Sequence, residues 1–396
     1  MNAYPRLVLK PGREKPVRHR HPWIFSGAVA RVEGRPADGD VVDVVDHQGT
    51  FLARGLYNSQ SQLVVRLFTW QPDETMGLDF LRRRLAQADG WRQRALAAET
   101  TAYRVVFSEA DDLPGLIVDR YADVITVQFS TLGMEQRKAD VVAALTERFA
   151  PRAIIERADA EVRGREGLGA VEGVLWGDAP PAVEIVEHGL RFLVDLQGGQ
   201  KTGFYLDQRE NRRRVAGACR AARVLNCFAY TGAFAVYAAR AGAAQIVNVD
   251  TSAEALQLAE RNLALNGFNR PQDEYRVGDV FQVLREYRHR GEQFDVVILD
   301  PPKFARSAAQ IERATRGYKD INFQAFHLLK PDGILATFSC SGIISADLFQ
   351  KVVFGASADA HRPAQIVEHL GQAADHPVLL SFPESEYLKG LICRAL

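Results

Sequence analysis

From Ala222 onward the chain alternates apolar, β-branched runs with amphipathic stretches at helical spacing. Strands are expected at 223–228, 245–250, 274–278, 294–300 and 333–338, with helices over 233–241, 253–266, 281–288 and 318–329. Repeated strand–helix–strand units of this kind fold into one parallel sheet with helices on both faces. The consequence reaches beyond the fold. An open parallel sheet binds ligands at the carboxyl ends of its strands. Three of those ends carry small or polar residues here: Asn226-Cys-Phe-Ala-Tyr-Thr-Gly232, Asp300-Pro-Pro-Lys-Phe304 and Ser339-Cys-Ser341. Two further runs, 378–382 and 389–393, are expected to close the sheet as an antiparallel hairpin.

The whole chain has 396 residues, more than one ordinary core accommodates. We read residues 183–396 as the α/β sheet domain, 73–182 as an α+β middle domain and 1–72 as a small β-barrel. In the barrel, short strands are punctuated by Gly12, Gly27, Gly34, Gly39, Gly49 and Gly55. With Lys10-Pro-Gly-Arg-Glu-Lys15 leading into Arg20-His-Pro-Trp-Ile-Phe-Ser-Gly27, it resembles a PUA domain, a small RNA-binding barrel. Net charge is zero, but residues 1–70 carry ten Lys/Arg against six acids. Lys10, Arg13, Lys15, Arg18 and Arg20 crowd one segment, as phosphate-backbone binding needs. Trp23 and Phe25 are candidates to stack on bases, although at least one is expected in the core.

No run approaches the roughly 20 apolar residues of a membrane span, and residues 1–15 hold no apolar export segment. A cytoplasmic protein with reduced thiols is expected. The four cysteines, Cys219, Cys227, Cys340 and Cys393, form no CxxC pair, and the histidines show no metal-ligand spacing. No metal is expected.

The turn after the first strand of the ladder has one glycine, Gly232, where a dinucleotide site needs three for close approach to a pyrophosphate. S-adenosyl-L-methionine has no phosphate and does not need that cradle. The next strand ends at Asp250, about where an acid takes ribose hydroxyls, and the third at Gly278-Asp279, suited to the adenine amino group. Together with the expected closing hairpin, these ends point to a class I methyltransferase sheet. Asn226, Phe228, Ala229, Tyr230, Thr231, Gly232, Asp250 and Asp279 are the donor-site candidates, with Asp300 at the border of donor and substrate.

Asp300-Pro-Pro is a rigid turn that aims an acid and carbonyls into the cleft. Alone it would indicate methylation of an exocyclic amine. Cys340 changes that reading. Most free cysteines are small core residues, yet a cysteine between two serines at a sheet's carboxyl edge is a poor core position. A thiolate there can add to carbon 6 of cytosine and make carbon 5 nucleophilic. A free thiol titrates near ~8.5, so the site must favour the thiolate through local dipoles or positive charge. Lys201, Lys303 and Lys389 are the candidates.

With these residues assembled, the chain resembles the bacterial 23S rRNA cytosine-C5 methyltransferase family. The likeness runs nearly end to end, through Arg20-His-Pro-Trp23, Ser108-Glu-Ala-Asp-Asp-Leu-Pro-Gly-Leu116, Gly199-Gln-Lys-Thr-Gly-Phe-Tyr-Leu-Asp-Gln-Arg209, the three strand ends, and Phe382-Pro-Glu-Ser-Glu-Tyr-Leu388. It implies a PUA domain, a middle EEHEE domain and a Rossmann-like catalytic domain, with Cys340 as nucleophile and Asp300 gripping the pyrimidine. It places Gln200, Lys201 and Phe204 beside the donor, and Lys303, Phe304 and Arg209 beside the RNA. The partner it implies is 23S rRNA; a homodimer is left open. A guanine N-methyltransferase of rRNA and a non-catalytic RNA-binding assembly factor are the competing readings.

Overall fold

A computed structural model describes residues 4–96, 98–158, 160–196 and 203–396. Its contacts divide into two compact units. The first runs to Val186 and takes in Val194–Leu206 and Ala374–Ser385; the second comprises Glu187–Leu193, Asp207–Ala373 and Glu386–Leu396.

The first unit starts with a six-stranded sheet of Arg6–Leu9, Trp23–Phe25, Val29–Glu33, Val41–Val45, Phe51–Tyr57 and Leu63–Thr69. Alternate residues Leu7, Leu9, Val42, Val44, Val65 and Leu67 fill its interior, as the two-residue period of a strand dictates. A five-stranded sheet follows: Ala102–Phe107, Leu116–Tyr121, Val124–Phe129, Ala153–Glu156 and Gly173–Gly177. The helix Leu78–Ala95 buries Phe80, Leu81, Leu85 and Ala88 in the core of that sheet. Val41, Leu56 and Phe68 of the first sheet join the same core. The first sheet thus has a core of its own and lends three side chains to the core of the second.

The second unit carries a seven-stranded sheet. We label its strands β1 (Arg223–Cys227), β2 (Gln245–Asp250), β3 (Glu274–Val277), β4 (Phe294–Leu299), β5 (Leu329–Ser339), β6 (Ala364–Gly371) and β7 (Lys389–Ala395). Its helices are α1 (Arg209–Ala216), α2 (Ala233–Arg240), α3 (Ala253–Leu265), α4 (Val280–His289), α5 (Ile311–Leu328) and α6 (Ala346–Asp359). The strand order is β3-β2-β1-β4-β5-β7-β6, with β1 to β5 parallel and β7 antiparallel to both neighbours. Leu225, Val247, Val297, Leu299 and Leu335 of the sheet pack with Leu284, Tyr318, Ile321, Phe326 and Phe349 of the helices. Each such side chain contributes about 1.5–3 kcal/mol relative to exposure.

One expectation fails at the closing hairpin. Residues 378–382 form no strand, only an isolated bridge between Leu379 and Phe382, and Leu380 is fully exposed. The partner of β7 is β6 instead. The stretch 374–385 folds into the first unit. There the Asp375 carboxylate accepts from Arg104 N at 3.0 Å, and the Phe382 ring meets Trp23 edge-on at 4.6 Å. Of the apolar residues in the run, Phe382 is buried in this contact, whereas Val378 and Leu380 are exposed. No helix among the described residues is long and apolar enough to cross a membrane.

Candidate active site

The turn after β1 is held in an uncommon backbone shape. Phe228 (φ 58°) and Tyr230 (φ 47°) are both left-handed, a conformation L-residues adopt at a cost. The neighbouring strand supplies the compensation. Ala229 N donates to Val249 O at 3.0 Å, and Tyr230 N to Asp250 Oδ2 at 2.8 Å. Asp250 Oδ1 accepts Ser252 N at 3.0 Å, so its carboxylate is fixed in orientation at the end of β2. Thr231 Oγ1 and Asn248 Nδ2 are buried without a hydrogen-bond partner. At the end of β3, Asp279 caps α4 through Gln282 N at 3.1 Å and is itself exposed.

Gly232 is needed for a reason other than ligand approach. It sits at φ 74°, and a Cβ there would lie 2.6 Å from Ala259 Cβ on α3. Gly232→Ala is therefore expected to cost about 2–4 kcal/mol, combining left-handed strain with overpacking. A lowered melting temperature with weakened donor binding by calorimetry is the expected outcome.

Asn226 departs from expectation. It is 1% exposed, and its Nδ2 donates to Asn248 Oδ1 at 2.9 Å. It fastens β1 to β2 at the foot of the turn.

The ends of β4 and β5 come together. Cys340 is half-buried, with Sγ 4.0 Å from Pro301 O of the Asp300-Pro-Pro turn. Beneath it, Tyr318 of α5 holds both flanking serines. Ser339 Oγ donates to Tyr318 Oη at 2.9 Å, and Ser341 Oγ lies 3.2 Å from the same oxygen. Ser341 Oγ also accepts Ala305 N at 3.3 Å, tying the two strand ends to each other. Asp300 Oδ1 accepts Gln208 Nε2 at 2.9 Å, and Gln208 Oε1 accepts Asn211 Nδ2 at 2.6 Å. Tyr318 and Gln208, which sequence reasoning missed, thus orient the thiol and the acid.

The other thiols are out of play. Burial pushes Cys219 and Cys393 up to about 12 and raises Cys227 as well. Lys389 is buried with its Nζ on Ser341 O, one residue after Cys340; burial lowers it to about 8 while Cys340 pulls the other way. No group of three or more His, Cys, Asp or Glu suited to a metal occurs among the described residues.

Residues 7–70 match the PUA-like domain family, and residues 165–384 match the S-adenosylmethionine-dependent methyltransferase family. A ribosomal RNA large subunit methyltransferase I of Enterobacter sp. (strain 638) is 48% identical over 393 residues, covering 99% of each chain. Its counterpart in Klebsiella pneumoniae (strain 342) is 48% identical over 399 residues, covering 100% of this chain and 99% of that one. The chain belongs to the ribosomal RNA large subunit methyltransferase I family. The fold is shared with SMU.776, solved in complex with SAH, at a TM-score of 0.85 and 22% identity over 98% of this chain and 99% of that one.

As a member of the ribosomal RNA large subunit methyltransferase I family, the protein is an S-adenosylmethionine-dependent methyltransferase. The turn fits the donor: a fixed Asp250 carboxylate, the exposed Asp279 and the unpartnered Thr231 hydroxyl are groups a nucleoside can engage. Phe204 lies in the first unit, its carbonyl accepting from Tyr121 Oη at 3.4 Å. Gln200 and Lys201 lie outside the described residues.

The RNA-side expectations divide. Lys10, Arg13, Lys15, Arg18 and Arg20 are exposed; Arg18 pairs with Asp46 at 2.9 Å and Arg20 sits over Trp70 at 5.5 Å. Trp23 is structural instead. Its Nε1 donates to Glu109 Oε1 at 2.8 Å and its ring rests against Phe382. Phe25 is the exposed aromatic there, at 51%. Lys303 is exposed, whereas Phe304 packs on Tyr318 at 4.7 Å and on Phe281 at 5.9 Å. Arg209 has to be reassigned. It is fully buried on α1 against Glu187 of the second unit, which removes it from any phosphate.

Proposed function

We propose that this methyltransferase forms 5-methylcytosine in 23S ribosomal RNA through a covalent bond between Cys340 and carbon 6 of the target base. The observation that carries the reading is the half-buried thiol at the end of β5, aimed by Tyr318 and set against the Asp300-Pro-Pro turn. Carbon 5 of cytosine is a poor nucleophile on its own. Cys340, as thiolate, gives an electron pair to carbon 6, and the displaced C5=C6 electrons make carbon 5 reactive. S-adenosylmethionine supplies the electrophilic methyl that carbon 5 takes. Loss of the carbon-5 proton to a base then restores the double bond and expels Cys340 as thiolate. Asp300, oriented by Gln208, accepts from the exocyclic amine and so fixes the ring. The cytosine reaches this position only after leaving any stack. The exposed Lys10–Arg20 cluster provides the salt-dependent grip on phosphates. Action on ribosomal RNA supports a cytoplasmic enzyme, with a homodimer left open.

The test is covalent trapping. Incubation with donor and 5-fluorocytosine-substituted 23S rRNA should leave a protein–RNA adduct at Cys340, because fluorine cannot leave as the proton does. Absence of the adduct, with methyl still transferred to natural RNA, would sink the carbon-5 reading in favour of guanine N-methylation.

Gln208→Leu provides a finer check. It removes the donor that orients Asp300 while retaining apolar bulk in a site only 2% exposed. A fall in kcat/KM of about 10–100-fold is expected from misplacing the acid, with donor affinity unchanged in calorimetry.

A further inference from the structure

Lys389 opens β7 directly opposite Ser339 of β5, so the two side chains share one face of the sheet. It is 7% exposed. Its Nζ donates to Ser341 O at 2.8 Å and Ile344 O at 2.5 Å, both in the loop that follows Cys340. Among the described residues it makes no ion pair with a carboxylate. An ammonium buried against carbonyl dipoles alone is costly, and such groups are kept where an anion appears nearby. The charged and titratable groups acting on Lys389 are Cys340, Glu386 and Lys303. Glu386 and Lys303 are exposed and of opposite sign, which leaves the Cys340 sulfur as the anion at hand. Tyr318, below the thiol, also feels the charge of Cys340.

We propose that Lys389 is the counter-ion that holds Cys340 as a thiolate. The inference rests on Cys340 being the nucleophile. The thiol proton passes to solvent as the thiolate forms beside the ammonium. When sulfur adds to carbon 6 the negative charge moves into the base, and elimination returns it to sulfur, so the ammonium stabilises the state before addition and the state after release. Lys389 acts through Cys340 and need not touch the base. It is a positioning residue in the electrostatic sense. Lys303 fits this role less well because it is exposed, where water screens its charge.

Iodoacetamide labelling of the full chain reads the thiolate directly, since Cys219, Cys227 and Cys393 are buried. In the unmodified protein the labelling midpoint of Cys340 should fall below the ordinary thiol value of ~8.5. Lys389→Met should slow labelling at neutral pH by about tenfold, one pH unit's worth of thiolate. The difference should close toward high pH, where the thiol ionises unaided and Lys389 is itself neutral. Lys389→Arg keeps the charge and should retain most of the rate, with kcat for methyl transfer following the same order.

A midpoint at or above the ordinary value in the unmodified protein would overturn the proposal, and needs no variant to fold. So would equal losses in the Met and Arg variants at matched melting temperatures. Trapping with 5-fluorocytosine separates the two levels. An adduct with an ordinary labelling midpoint removes Lys389 and leaves Cys340, whereas a lowered midpoint without an adduct removes the cytosine chemistry alone.

Discussion

Cys340→Ala should lower methyl transfer on the order of 10⁴-fold or more, with affinity for S-adenosylmethionine unchanged. The size of the loss follows from the absence of a substitute. The nearest hydroxyls, Ser339 and Ser341, are fully buried and engaged with Tyr318. They cannot swing into the place of the sulfur without breaking the bonds that order the end of β5. The donor turn after β1 makes no use of Cys340, so calorimetry on the variant should reproduce the parent titration. Single-turnover transfer to 23S rRNA is the measurement of activity. A variant retaining more than a few per cent of the parent rate would show that carbon 5 is not the acceptor, because amine methylation has no need of a thiol.

Much of this was legible because parallel strands are buried on both faces and read as unbroken apolar runs. β1, β4 and β5 announced themselves in that way, and the residues ending them were therefore visible as site candidates. β6 was not. As an edge strand it carries Gln365, Glu368 and His369, and its Ile366 and Val367 are exposed, so no apolar period marks it. The run at 378–382 misled for the opposite reason: it is apolar without being a strand, with Phe382 buried in a loop contact and Val378 and Leu380 exposed. Within the site, the sequence marks what ends a strand and conceals what arrives from elsewhere. Gln208 lies 92 residues from Asp300, and Tyr318 lies 23 from Ser341. Neither spacing has a local signature, since tertiary packing alone creates it.

The arginine run on α1 is divided by burial, which neither charge nor helical spacing reveals. Arg209 and Arg212 are buried, whereas Arg213 and Arg214 are exposed, although Arg213 stands only four residues from Arg209. Arg212 clasps Glu187 with two bonds, Nε to Oε1 at 2.9 Å and Nη2 to Oε2 at 2.8 Å, while Arg209 Nε lies 3.6 Å from Oε2. Tyr237 Oη donates to Glu187 Oε1 at 3.0 Å, and burial together with that carboxylate raises the pKa of Tyr237. Removing the carboxylate strands buried guanidiniums, for which the expected cost is about 3–5 kcal/mol. Glu187→Ala should accordingly lower the melting temperature of the second unit by roughly 10 °C. Arg213→Ala, at a side chain 63% exposed, should shift stability by less than about 0.5 kcal/mol. Its effect should instead appear in RNA affinity, as a shallower dependence on salt. Equal effects of the two substitutions on melting would contradict the division of the run into a buried clasp and an exposed face.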